Sequence, residues 1–314
     1  MVIGLKRLTL IRLFFAGLCS VLFLHQIAAT PVAHSTERQQ TLKATAGNSI
    51  DFPMQVHRGL PIVDVWVNGR GPFRFGVDTG AMYPVVFRAG LAERIGLARP
   101  EAPKAGSGST GIGDRPTVPV DSIRVGDTVF TGISAVLVDF RSFGPPVEGT
   151  LGLPLFKDFL LTLDYPGSRM RIERAELPEA DGKTVLPIEK HPTGLALVDL
   201  EMEGESLSAL VDTGNLATAF VLPKSLVSRL GWASDSSSTK KARTLGQEFT
   251  VEEVRLSGAI RLGDLVFNQP VVVFGDTFRK ALVGGQAFKE HVVSIDQKNW
   301  RLRVVRSPGV ESGG

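Results

Sequence analysis

The sequence predicts a mostly β protein of two homologous barrel-like lobes, related by a pseudo-two-fold axis and each carrying short helices. Three observations predict it. The triplet Asp-Thr-Gly occurs twice, at Asp78-Thr79-Gly80 and Asp212-Thr213-Gly214, and each copy is trailed about 70 residues on by an apolar-Gly segment, Leu151-Gly152-Leu153 or Val283-Gly284-Gly285. Further blocks recur in the same order at offsets of 132 to 137 residues: Leu91-Ala92-Glu93-Arg94-Ile95-Gly96 with Leu226-Val227-Ser228-Arg229-Leu230-Gly231, Ile123 to Phe130 with Ile260 to Phe267, and Arg169-Met170-Arg171-Ile172 with Arg301-Leu302-Arg303-Val304. Chance does not preserve that order, so the chain reads as a gene duplication. Finally, both halves contain segments that alternate apolar and polar residues and end at turn residues, the pattern of β-hairpins.

From the N-terminus, Lys6, Arg7 and Arg12 precede an apolar stretch from Leu13 to Ile27, and the small residues Ala28-Ala29-Thr30-Pro31-Val32-Ala33 follow. That order is the pattern of a secretory signal peptide over residues 1–30. It places the mature protein in the periplasm or outside the cell. The alternative is an uncleaved anchor, but the run falls short of the ~20 apolar residues a spanning helix needs. The single cysteine, Cys19, lies in this leader behind Gly17-Leu18, a poor lipobox, so a processed chain holds no disulfide. The leader also carries the whole formal charge of +3. The remainder is neutral and shows no basic stripe, which excludes nucleic acid as a partner. With 43% hydrophobic and 21% charged residues, the body has the composition of a globular protein.

Residues 31–48 read as a flexible N-terminus, 49–175 as the first lobe, 183–306 as the second and 307–314 as a disordered tail. In the first lobe, Ile62 to Val67 alternates before Asn68-Gly69, and Phe73 to Val77 returns into Asp78. A short helix is expected from Phe87 to Ile95, capped by Gly96. In the second lobe, Ala196 to Glu203 alternates before Gly204, Leu207 to Val211 returns into Asp212, and a helix is expected from Lys224 to Leu230 before Gly231. Residues 234–241 read as a polar loop. Arg174 to Thr184, charged and holding Pro178 and Gly182, reads as the linker.

The chemistry lies in the triplets. A strand ending in Asp-Thr-Gly pushes the aspartate out at a turn, the glycine permits tight backbone geometry, and the threonine hydroxyl can bond backbone across the lobe interface. Two such loops face to face bring Asp78 and Asp212 together. Both carboxyls cannot ionise at that range, so they share a proton; one activates a water and the other polarises a carbonyl. No metal or organic cofactor is required. One triplet alone would be ordinary turn punctuation. Gly106 to Gly111 spells G-x-G-x-x-G, but Pro103 precedes it and Ile112-Gly113-Asp114-Arg115-Pro116 follows it, so no helix starts there and the dinucleotide reading fails. His57, His191 and His291 lack metal-ligand spacing. Asp64, Asp127, Asp164, Asp199, Asp264 and Asp296 recur between the halves at strand ends or turns and read as structural.

These residues resemble those of the retropepsin-like and pepsin-like aspartic proteases, across about residues 50 to 305. The matching segments are Gly76-Val77-Asp78-Thr79-Gly80-Ala81 with Gly152, and Leu210-Val211-Asp212-Thr213-Gly214-Asn215 with Gly284 or Gly285. The resemblance is to a fused, bilobal enzyme of the bacterial periplasmic type with the acid-protease fold. It implies an aspartic endopeptidase with Asp78 and Asp212 as catalytic pair, supported by Thr79, Gly80, Thr213 and Gly214. It further implies a flap over the cleft, for which Gly108, Ser109, Thr110 and Gly111 are candidates, with a counterpart near Thr244 to Phe249. A peptide or protein substrate would lie between the lobes, and the processed chain would be a monomer free of the membrane. Gly76 and Asn215 depart from the family's usual residues, and no flap tyrosine is recognisable. That leaves open a catalytically inactive peptide-binding protein on the same scaffold.

Overall fold

The computed structural model describes residues 42–45, 47, 49–97, 116–138, 146–226, 238–243, 248–275 and 280–307. They form a mostly β molecule in three sheets, with a single α-helix among the described residues. An eight-stranded sheet builds the first lobe, a ten-stranded sheet the second, and a six-stranded antiparallel sheet joins them. The expected hairpins are present as Leu60–Val67 with Arg70–Asp78 and Ala196–Met202 with Glu205–Asp212. Their turns put both central residues at positive φ, Asn68 (48°) and Gly69 (73°) in one, Glu203 (49°) and Gly204 (83°) in the other. This geometry matches the right-handed twist of paired strands.

The lobes repeat one topology. Arg70–Asp78 runs parallel to Gly149–Gly152, which pairs antiparallel with Val85–Arg88. Glu205–Asp212 runs parallel to Ala281–Gly284, which pairs antiparallel with Phe220–Pro223. In the joining sheet Leu160–Asp164 lies against His291–Asp296, and Thr162 faces its own repeat equivalent Ser294. Their hydroxyls are 2.8 Å apart, so the pseudo-two-fold axis passes between them. Fully buried rings anchor both cores: Phe75, Phe87, Phe130 and Phe156 in the first lobe, Phe220, Phe274 and Phe288 in the second. Phe75 and Phe87 meet edge to face at 5.8 Å, as do Phe130 and Phe156.

Several local expectations need correction. The first helix is Ala89–Arg94, not Phe87 to Ile95. Phe87 and Arg88 belong to the strand Val85–Arg88, because burying the Phe87 ring beside Phe75 outweighs local helix propensity. The expected cap holds: Gly96 adopts φ 66° and donates to the Glu93 carbonyl. In the second lobe only a 3-10 turn, Lys224–Leu226, is found, and residues 227–230 lie outside the described set. Part of the polar loop 234–241 is strand: Ser238–Arg243 pairs with Glu248–Arg255 in six-residue register, a partnership composition alone does not reveal. The N-terminal segment 31–48 contains a strand, Lys43–Thr45, held by Val129 to Thr131. Residues 174–184 carry no strand, but they are pinned: the Asp181 carboxylate accepts from the backbone N–H groups of Lys183, Thr184 and Val185. Those donors hold its pKa down to about 2. The leader, the flap candidates Gly108, Ser109, Thr110 and Gly111, and the tail beyond Ser307 lie outside the described residues.

Candidate active site

Each aspartate ends a strand whose register fixes what lies behind it. Asp78 is opposite Gly152, and Asp212 is opposite Gly284, which settles Gly284 over Gly285 as the counterpart. Both glycines give their N–H to the returning chain, Gly152 to the Pro84 carbonyl and Gly284 to the Ala219 carbonyl. A Cβ on Gly152 would sit 2.1 Å from the Tyr83 carbonyl oxygen, and one on Gly284 2.5 Å from that of Thr218. The chain therefore crosses itself directly behind each aspartate, and only glycine allows it.

Thr79 and Thr213, both fully buried, lock the loops across the axis. The N–H of Thr79 donates to Thr213 Oγ1 at 3.0 Å, and the N–H of Thr213 to Thr79 Oγ1 at 3.0 Å. Each hydroxyl then donates onward, Thr79 to the Val211 carbonyl (2.7 Å) and Thr213 to the Val77 carbonyl (2.6 Å). Thr79→Val keeps the shape but leaves one buried N–H and one buried carbonyl unpaired, at about 1–3 kcal/mol each. The expected loss is about 2–6 kcal/mol, read as a lower urea midpoint at unchanged m-value.

The carboxyls sit between these supports. Gly80 N–H donates to Asp78 Oδ1 at 2.9 Å, and Gly214 N–H to Asp212 Oδ1 at 3.0 Å. Each carboxyl also lies over the glycine of the opposite loop. A Cβ on Gly80 would meet Asp212 Oδ1 at 2.5 Å, and one on Gly214 would meet Asp78 Cγ at 2.4 Å. Asp78 and Asp212 are within hydrogen-bonding reach of one another. Part of each residue's surface stays open, so water has access, while the surrounding protein strips most solvent from the carboxyls. Asp212 is pushed up from 3.8 to about 8, first by burial and second by the negative charge of Asp78. Burial also raises Asp78, against the N–H of Gly80 and the hydrogen bond with Asp212. Both carboxyls are thus held above the ordinary carboxylate range, and the negative charge of one opposes ionisation of the other. A water between the carboxyls would meet a base on one side and an acid on the other.

Asn215 serves its own turn. Its amide donates to the Thr218 carbonyl at 3.1 Å and its side-chain oxygen accepts from Ala217 N–H at 3.1 Å. The bonds around Asp212 therefore keep the form of those around Asp78. Asp164 and Asp296 cap turns, through the N–H of Gly167 for the former and of Lys298 and Asn299 for the latter. Among the described residues no three His, Cys, Asp or Glu side chains cluster to hold a metal ion. Two contacts had no signal in the sequence. The buried Tyr165 hydroxyl donates to the Gly59 carbonyl within the first lobe, and Gln286 donates to the Leu216 carbonyl within the second. The lobes meet where Gly59 packs against Gly285 and Gln286.

Solved structures similar to the chain include the basic 7S globulin from soybean (TM-score 0.49, 13% identity, 84% of this chain and 98% of that one). Conglutin gamma, a basic 7S globulin from lupine seeds, is also similar (TM-score 0.46, 11% identity, 83% of this chain and 95% of that one). No curated protein matches the sequence. The sequence model of the aspartyl protease family matches residues 63–155 and 198–288, one segment in each lobe and more than half of the chain together. The chain belongs to the aspartyl protease family.

Proposed function

We propose that the protein is an aspartic endopeptidase, hydrolysing peptide bonds with Asp78 and Asp212 and a water activated between them. The observation that carries this reading is the pair itself: two carboxyls in hydrogen-bonding reach, held equivalently by two threonines and two glycines, and both raised above the ordinary carboxylate range, first by burial. With Asp78 ionised and Asp212 protonated, Asp78 takes a proton from the water as it attacks the carbonyl and Asp212 donates its proton to the carbonyl oxygen. The C–N bond then breaks as Asp78 passes its proton to the leaving nitrogen, and the hydroxyl returns a proton to Asp212 as the carboxyl product forms. Thr79, Gly80, Thr213 and Gly214 hold the two carboxyls in place. The substrate is an extended peptide lying between the lobes, and the enzyme acts as a monomer in the periplasm or outside the cell, after removal of residues 1–30. The rival reading, a peptide-binding body without catalysis, drew on Asn215 and on the atypical flap; the Asn215 side chain is spent on its own turn, and the flap candidates lie outside the described residues.

The test is incubation of the purified protein with a diverse peptide library across pH 3–9, with and without a statine peptide that mimics the tetrahedral intermediate. Cleavage should fall by one proton's slope above about pH 8, as Asp212 ionises and the acid is lost. Stability should follow the same group. Its folded pKa lies above the unfolded 3.8, so the folded state binds more protons between the two values. The stabilisation is complete below about pH 4 and is lost as pH rises to about 8. No cleavage at any pH, together with no statine binding, would overturn the enzymatic reading.

A further inference from the structure

The first lobe carries a row of charged side chains that the catalytic pair does not use. On the strand Arg70–Asp78, Phe75 is buried in the core, so Arg74 projects from the opposite face, the one that bears Gly76 and Asp78. The same alternation puts Arg88, next to the buried Phe87, on that face. A Cβ on Gly149 would strike the Phe75 ring at 2.5 Å, so the preceding Glu148 turns away from the core as well. The backbone ties the three together: Glu148 N–H donates to the Arg74 carbonyl, and Arg88 N–H to the Glu148 carbonyl, both at 2.8 Å. Arg94 reaches in from the helix to Glu148 Oε1 at 3.0 Å, and the exposed Asp64 is Arg74's cross-strand neighbour.

This row is short of partners. The Nε of Arg74, the Nε of Arg88 and Oε2 of Glu148 are buried without a hydrogen-bond partner among the described residues. Such atoms are rare in native proteins, and three in one row mark a place where a polar group is missing. The face leads to the aspartates. Arg74 lies four residues from Asp78 along an extended strand, on the order of 13 Å. Between them Leu60 covers Gly76, where a Cβ would meet it at 3.0 Å, and Leu60 and Ile62 cluster with Val147 and with Leu216 of the other lobe's catalytic loop, so an apolar step separates the row from the aspartates. The second lobe does not repeat the row: the repeat positions of Arg74, Glu148 and Arg88 are Ser208, Lys280 and Pro223, and its wall is the apolar set Val221, Val251, Val273 and Leu282.

We propose that this row is a substrate subsite for a carboxylate on the peptide, within about four residues of the cut bond. Three guanidinium groups outnumber Glu148 and Asp64, so the row is net cationic. The Arg74 and Arg88 Nε–H groups donate to the incoming carboxylate, and Glu148 Oε2 accepts a peptide N–H. The opposite wall takes apolar side chains. The proposal rests on the endopeptidase reading for the peptide's position but not for the recognition itself.

Binding to Asp212→Asn protein separates the two. Peptides with glutamate walked through the four positions on either side of a cleavable bond are compared with their glutamine counterparts, and free-acid with amidated C-termini distinguish a side-chain from a terminal carboxylate. At one position glutamate should bind about 10- to 100-fold more tightly, the range of a charge-assisted pair of bonds, and Arg88→Met should remove the preference without weakening the glutamine peptide. A preference with no cleavage by the unmodified protein keeps the subsite and sinks the enzyme. Cleavage without any glutamate preference sinks the subsite and keeps the enzyme. If no peptide binds, both are overturned.

Discussion

Replacing Asp78 or Asp212 with asparagine should lower peptide cleavage by at least about 10³-fold, because proton transfer by a positioned group contributes about 10²–10⁴ and here one missing carboxyl disables both the base and the acid. Asparagine has the same shape, and its side-chain oxygen can still accept the N–H of Gly80 or Gly214 that the aspartate accepts. The fold should therefore survive. Circular dichroism and the urea midpoint should be unchanged at pH 5. Above pH 8 the variants should be at least as stable as the unmodified protein, since they no longer force two negative charges together. The double variant should be no worse than either single one, as expected of groups acting as a unit. Cleavage surviving in either single variant would remove the proton-sharing pair from the mechanism.

The second large effect belongs to Gly152. Its φ of −84° suits any residue, so alanine meets no backbone strain there. The obstacle is purely the crossing chain: a Cβ would lie 2.1 Å from the Tyr83 carbonyl oxygen and 2.9 Å from that of Ala81, and neither can rotate away. Overpacking of this kind costs about 1–3 kcal/mol and sometimes more, and two backbone contacts put Gly152→Ala at or above about 3 kcal/mol. Because the displaced segment carries Asp78's own turn, cleavage should fall even in protein that folds. Gly90→Ala provides the control. That glycine has nothing within 4 Å of a would-be Cβ and lies in the helix Ala89–Arg94, so the change should stabilise by about 0.5–1 kcal/mol. Thermal unfolding of the two variants side by side checks both. A Gly152→Ala protein as stable as the unmodified chain would contradict the close crossing.

The duplicated architecture and the aspartates were legible because both leave local marks: a repeated order of blocks and a triplet whose every member has a role. The hairpin turns were legible for the same reason, since Asn68-Gly69 and Glu203-Gly204 encode their conformation in two residues. The errors fall where long-range pairing decides. Phe87 reads as helix locally but is a core ring on a strand. Ser238 to Lys241 read as loop until Glu248–Arg255 supplies the ladder. Asn215 looked like a disturbance of the catalytic turn because its partners, Ala217 and Thr218, belong to a loop one residue longer than that of the first lobe. The charged row at Arg74, Glu148 and Arg88 was invisible for a related reason: its members lie on two strands and at the entry to a third, up to 74 residues apart, and no motif joins them.

The hydroxyls of Thr162 and Ser294 meet at the middle of a sheet to which both halves contribute strands. Any large rocking of one half against the other would tear the rungs between Leu160–Asp164 and His291–Asp296. The molecule is therefore built less like a pair of jaws than like a vessel with a rigid floor. Whatever enters must be admitted by the rim.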